Sequence, residues 1–356
     1  MAVESKRSSK KRGCLKWGGV ALGALVLLLI VIVAIVGFQG SRAKAALRAQ
    51  YPPPGQMVDV GGYKMHIYCQ GSGSPTVILD AGGGDFSLSW ELVRPEVAKS
   101  TRVCVYDRAG MGWSELGPEP PTMENRVDKL HTLLTEGGIE GPYVLVGHSI
   151  AGMFVRAYAF RYPEEVVGMV LVDSSHEDQV ARQSAVLSEF SSSQGNVQIN
   201  MLAQELALRV LQGLQSLGVM AMNPQVFSDA WLPPLPEELK DTYKAAVVSN
   251  DSYFAALLED NAYTGANMAD VREMNITLGD MPLVVLSSQR MEIPPSLGLS
   301  AEGEAELKAV QAEMQTELVS LSSRGRQVLA EESGHFIHLN QPELVIEAIL
   351  EVLQAQ

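Results

Sequence analysis

From Trp17 to Phe38 the chain reads WGGVALGALVLLLIVIVAIVGF, without a charged residue. At about 1.5 Å per residue, a helix of this length crosses roughly 30 Å of hydrocarbon. A cleaved export signal would have a shorter apolar core followed by a small-residue cleavage site, so the expectation is an uncleaved transmembrane helix over residues 17–38. Residues 41–50 turn polar but still read as helix, and Tyr51-Pro52-Pro53-Pro54-Gly55 stops it, which makes residues 39–56 a linker. Beyond the linker, β-rich runs at 64–69, 76–79, 102–106, 143–146 and 167–172 alternate with helical periodicity at 125–135 and 151–160. Val144-Leu145-Val146 and the run 167–172 are almost wholly apolar, as strands covered on both faces must be. This alternation predicts an α/β fold: a mostly parallel sheet with helices on both faces.

The alternation stops between residues 176 and 275. An amphipathic helix over 200–217, a proline-rich turn over 231–236 and a helix over 240–260 predict a helical cap there. Strands at 283–287 and 326–330 resume the sheet, and a helix over 344–353 closes the chain. The core is therefore expected to comprise residues 57–175 and 276–356, with 176–275 inserted between them.

Charge orients this plan. The total is −14, but six basic residues against Glu4 give the tail 1–16 a charge of +5, leaving −19 for the rest. By the positive-inside rule the tail is cytoplasmic and the folded body lies on the extracytoplasmic side. A body this acidic repels nucleic acid, so no nucleic-acid partner is expected. The cysteines are Cys14, on the cytoplasmic side, and Cys69 and Cys104 in the exported body, where they are either bonded or two buried small side chains. No Cys and His cluster has metal-ligand spacing.

Candidate chemistry centres on Gly147-His148-Ser149-Ile150-Ala151-Gly152, which follows a buried strand and opens a helix. A strand-to-helix turn this tight needs small residues beside Ser149, and it lifts the hydroxyl above helix N–H groups that favour developing negative charge. A serine hydroxyl attacks only when a base takes its proton. Of the six histidines, His335 in Ser333-Gly334-His335-Phe336 lies in the loop after the last strand, at the sheet end where Ser149 emerges. His338 competes but reads as a residue that packs or hydrogen-bonds at the base of the final helix, and His148 should point away from its neighbour Ser149. Asp107-Arg108 reads as a structural turn with a buried ion pair.

These segments, together with Ala81-Gly82-Gly83-Gly84 and Tyr106-Asp107-Arg108-Ala109-Gly110, resemble the α/β-hydrolase fold family, over Met57 to about Leu353 apart from the cap. The resemblance implies a nucleophile after strand five, an acid after strand six or seven and a histidine after strand eight. Ala151 stands where the family usually has glycine. In the loop after strand seven the usual aspartate is missing: Arg290 or a neighbour holds its place, with Glu292 nearby. Asp173, at the end of the run 167–172, is the preferred acid, because some lipases of this fold carry it there; Glu292 is the alternative. For the oxyanion hole the resemblance implies the backbone N–H groups of Ile150 and Gly83.

Together these residues imply a membrane-anchored serine hydrolase of the esterase or lipase kind, acting on a small-molecule acyl substrate without metal or organic cofactor. Serine at the elbow argues against epoxide-hydrolase and dehalogenase chemistry, which in this fold uses aspartate. A catalytically silent binding protein and an aminopeptidase are the alternatives, the latter needing cap carboxylates such as Glu205, Glu237 or Glu238 to hold an amine. The apolar cap residues Met201, Leu202, Leu206, Met220, Met222, Phe227 and Trp231 favour acyl or aromatic substrates, or are simply the cap's own core.

Overall fold

A computed structural model describes residues 5–191 and 194–356; residues 1–4 of the basic tail, and Ser192 and Ser193, lie outside the described residues. Helix α1 (Ser5–Gln50) runs unbroken until the proline run. Among the described residues it is the one helix long and apolar enough to cross a membrane, from Val20. Every residue from 20 to 35 is exposed.

The strands are β1 (Gln56–Asp59), β2 (Lys64–Gln70), β3 (Thr76–Asp80), β4 (Val103–Tyr106), β5 (Tyr143–His148), β6 (Val166–Val172), β7 (Leu283–Ser288) and β8 (Gly325–Ala330). They form one sheet in the order β1-β2-β4-β3-β5-β6-β7-β8. Only β2 runs against its neighbours; every pairing from β4 to β8 is parallel. Strand β1 was not expected, since two apolar residues are too few to set a period.

Alternation along the central strands divides two cores. Val77, Leu79, Val144, Val146, Val170 and Val172 face one side, with Trp90 and helix α9 (Pro342–Gln354) over them. Ile78, Leu145, Met169 and Leu171 face the other, under helices α2 (Met123–Glu136) and α3 (Ala151–Arg161). Because every second side chain changes face, an all-apolar strand feeds both cores, which is why these strands showed no alternation of polarity. Cys69 and Cys104 are registered partners on β2 and β4 and are disulfide-bonded.

Between β6 and β7 lie α4 (Gln179–Phe190), α5 (Gln194–Ser216), α6 (Glu237–Ser249) and α7 (Tyr253–Met274). The helix predicted over 240–260 is two helices, split where Asn250 accepts from Ser252 N at 2.9 Å and donates to Gly112 O at 2.9 Å. Asparagine and serine satisfy the backbone of a turn, and Ser249-Asn250-Asp251-Ser252 supplies four such residues. Phe86, Leu208, Met220, Phe227, Tyr243 and Phe254 join in a third cluster beneath these helices. Helix α8 (Ala301–Val319), between β7 and β8, was not expected; Ser300 caps it by accepting from Gly303 N at 3.1 Å.

The predicted Asp107–Arg108 pair is corrected. Arg108 Nη1 meets Asp80 Oδ1 at 2.6 Å, while Asp107 Oδ2 meets His66 Nδ1 at 2.9 Å. Adjacent side chains at a strand end point to opposite faces, so each finds a partner on its own side.

Candidate active site

The turn after β5 is built by close approach. A Cβ on Gly147 would lie 2.8 Å from the Ala151 backbone, and one on Gly152 would lie 1.9 Å from Ser174 Oγ. Gly152 is thus the second position that must be glycine, one residue beyond the Ala151 that departs from the family pattern. Ser149 itself is held at φ 56, a left-handed conformation costly for a residue with a Cβ. Its backbone is tied on both sides, Ser149 N donating to Val172 O at 3.0 Å and Ser175 N donating to Ser149 O at 2.9 Å.

The same stretch carries Asp173, also at positive φ (41). Ser288 N donates to its Oδ1 at 3.0 Å and His335 Nδ1 donates to its Oδ2 at 2.6 Å. Asp173 is buried, while the His335 ring is 48% exposed. A carboxylate gripped at both oxygens fixes the imidazole's tautomer and leaves Nε2 unprotonated. Glu292 stands exposed on an adjoining groove that Asp173 and His335 also line. Arg290, in the place of the usual aspartate, braces the histidine loop: Arg290 N donates to Ser333 O at 3.1 Å and Nε to Glu331 O at 3.2 Å.

Above Ser149 lies the glycine loop. A Cβ on Gly82 would stand 3.4 Å from the Ser149 Cβ, and one on Gly83 3.6 Å from Ile150 Cγ2. Among the described residues the N–H groups of Gly83 and Ile150 have no partner inside the protein. Arg108 donates to the carbonyls of Ala81 and Gly82, so the buried Asp80–Arg108 pair fixes the loop's position. Ser149, His335 and the glycine loop line one cleft, closed on the other side by Val180, Trp231, Leu232, Pro233, Leu257 and Met268. Among the described residues no group of His, Cys, Asp or Glu could hold a metal ion.

A model of the alpha/beta hydrolase family matches residues 77–348. The chain belongs to the alpha/beta hydrolase family. Among curated proteins, the uncharacterized protein YbdG of Bacillus subtilis is 33% identical over 157 residues, which are 43% of this chain and 47% of that protein. The 2-hydroxymuconate semialdehyde hydrolase of Pseudomonas sp. is 33% identical over 129 residues, 35% of this chain and 44% of that one. The chain thus spans about half the length, or less, of the curated relatives it first matches. A thermophilic esterase from Thermogutta terrifontis superposes with a TM-score of 0.53 at 21% identity, covering 84% of this chain and 98% of that structure, and shares the fold.

In this member of the family two further histidines lie beneath His335. His148 points away from Ser149, as expected, and donates from Nε2 to the His335 carbonyl at 2.9 Å, its ring 4.6 Å from that of His335. Its role as a support for the histidine loop was not legible in the sequence. His338 packs, as expected, between Trp90 and His148, with both ring nitrogens buried and unpartnered. Burial holds His148 well below the ordinary imidazole range and pushes His338 down to about 3. Both are neutral when folded, whereas the unfolded chain takes up their protons below the ordinary value of 6.5. Their stabilisation is therefore complete above 6.5 and is lost as the pH falls toward 3. In His338→Phe, which keeps the stacking on Trp90, about 2 kcal/mol of the stability lost between about pH 7 and about pH 5 should disappear. Urea unfolding at the two pH values measures this; an unchanged loss would mean that His338 takes up its proton as readily in the fold as in the unfolded chain.

Proposed function

We propose that the chain is a membrane-anchored serine hydrolase cleaving a carboxylic ester or similar acyl bond. The observation that carries this reading is the Asp173–His335 pair at 2.6 Å, whose histidine lines the same cleft as Ser149 and the glycine loop. His335 Nε2 takes the Ser149 proton as Oγ attacks the carbonyl carbon, and Asp173 stabilises the imidazolium that forms. The oxygen that becomes negative is received by the N–H groups of Ile150 and Gly83. The imidazolium then protonates the leaving alcohol, and water, deprotonated by the same nitrogen, releases the acid from the acyl-enzyme.

Asp173 fills the role left open after strand seven, which weakens the case for a silent binding protein. An aminopeptidase would need a carboxylate free to hold the amine: Glu205, Glu237 and Glu238 are not among the residues that line the cleft, and Asp85, which does line it, is buried and accepts from Phe86 N at 2.8 Å and from the Tyr243 hydroxyl at 3.1 Å. Helix α1 supports the anchor: an exposed apolar run from Val20 to Ile35 has no protein to cover it and suits lipid. The charge distribution favours a cytoplasmic tail and an extracytoplasmic body.

A fluorophosphonate probe should label the wild type and not Ser149→Ala, and hydrolysis should favour acyl esters over aminoacyl amides. Absence of label on both proteins would refute the enzyme reading. Amide cleavage alone would turn it into a peptidase.

A further inference from the structure

The docking of α1 against the helices between β6 and β7 plays no part in the chemistry above. Gly40 is buried, and a Cβ there would lie 2.1 Å from the Leu217 carbonyl oxygen. One turn on, Lys44 pairs with Asp251 and donates to Ser216 O at 3.2 Å, and Arg48 pairs with Asp251 at 2.8 Å. Ala43 and Leu47 pack on the cap's apolar cluster. Val36 and Gly37, inside the uncharged run, are already half-buried. The sheet is not what grips α1; the cap is, and it does so at the point where the helix would leave hydrocarbon.

The segment that follows Gly218 begins with Val219–Met222, which packs on α1, and it turns apolar side chains outward: Met222 is 41% exposed, Val226 63% and Trp231 56%. Trp231 and Val180 also line the cleft of Ser149. Water gains nothing from such residues, whereas tryptophan and aliphatic side chains are stabilised at a hydrocarbon boundary.

We infer that the cap rests on the bilayer that α1 enters, with Met222, Val226 and Trp231 in the interface and the cleft open toward it. The substrate is then an amphiphilic acyl ester whose chain passes from lipid into the cleft. This inference rests on the anchor and serine-hydrolase readings above. The acidic body gives no attraction to anionic lipid, so the contact is apolar, forms on zwitterionic lipid and resists salt.

The test uses the full chain in phosphatidylcholine nanodiscs with brominated acyl chains. The fluorescence difference between wild type and Trp231→Phe isolates Trp231, and bromine should quench it roughly twofold at low and high salt alike. Met222→Asp with Val226→Asp should hydrolyse a long-chain ester dissolved in the disc about tenfold more slowly, with an unchanged rate on a water-soluble short-chain ester. An unquenched Trp231 in a chain retained by the discs overturns the seating and assigns this face to a protein partner. Release of the chain by alkaline carbonate overturns the anchor and the seating with it. If neither ester is cleaved, the hydrolase reading and the amphiphile substrate fall, while quenching alone still supports the seated cap.

Discussion

Ser149→Gly is expected to abolish turnover and to be more stable than Ser149→Ala. At an ordinary position glycine is the weaker residue by about 0.5–1 kcal/mol, because it loses more conformational freedom on folding. At Ser149 the backbone stands at φ 56, where a Cβ costs roughly 1–2 kcal/mol. Alanine keeps that penalty and glycine removes it, so the usual order should invert, with glycine ahead by up to about 1.5 kcal/mol. Both variants lose the nucleophile, and kcat should fall by about 10⁴ to 10⁶, down to what the oxyanion N–H groups and binding alone can do. Denaturant unfolding and ester hydrolysis on the same preparations measure the two effects. An alanine variant with about a tenth of wild-type activity would remove Ser149 as nucleophile. A glycine variant less stable than alanine would show that the elbow is not strained.

Asp173→Asn should cost about 10³ to 10⁴ in kcat with little change in KM. The asparagine fits the space but can present an amide N–H to His335, favouring the tautomer that puts the proton on Nε2, where the serine proton must go. Ser288 N at 3.0 Å from Oδ1 holds the acceptor oxygen on its own side and leaves the amide nitrogen for His335. Glu292→Gln, on the exposed rim, should stay within about twofold of wild type, since no oriented imidazole depends on it. The reverse pattern, with Glu292→Gln inactive and Asp173→Asn active, would transfer the acid to the loop after β7.

The features readable from the chain are those whose cause lies within a few residues. Val144-Leu145-Val146 had to be a doubly covered strand because apolar residues at every position suit no other half-exposed element, and it is β5. Gly147 marked a sharp turn because the collisions it avoids are with the backbone of Ala151 and Gly152, a few residues on in the chain. Twenty-two uncharged residues at 17–38 made a helix long enough to span a bilayer by rise per residue alone. The helices α4 and α8 escaped because few apolar side chains mark their inner faces: α4 buries only Val186 among its apolar side chains, and α8 buries Leu307, Met314 and Leu318 along its whole length.

What tertiary structure decided were choices between equal candidates. Asp173 and Glu292 are both carboxylates near the right strand ends, and only the path of the chain brings one of them to His335, 162 residues away. The sequence put Arg108 beside Asp107, yet strand geometry sent them to opposite faces and gave Arg108 to Asp80 and the glycine loop. His148 looked inert until the last loop folded over it, and Gly40 looked like any membrane-helix glycine until Gly218 came against it. Local sterics and periodicity are written in neighbouring residues, whereas hydrogen bonds and close contacts between distant segments exist only once the sheet order and the cap have set which loops meet.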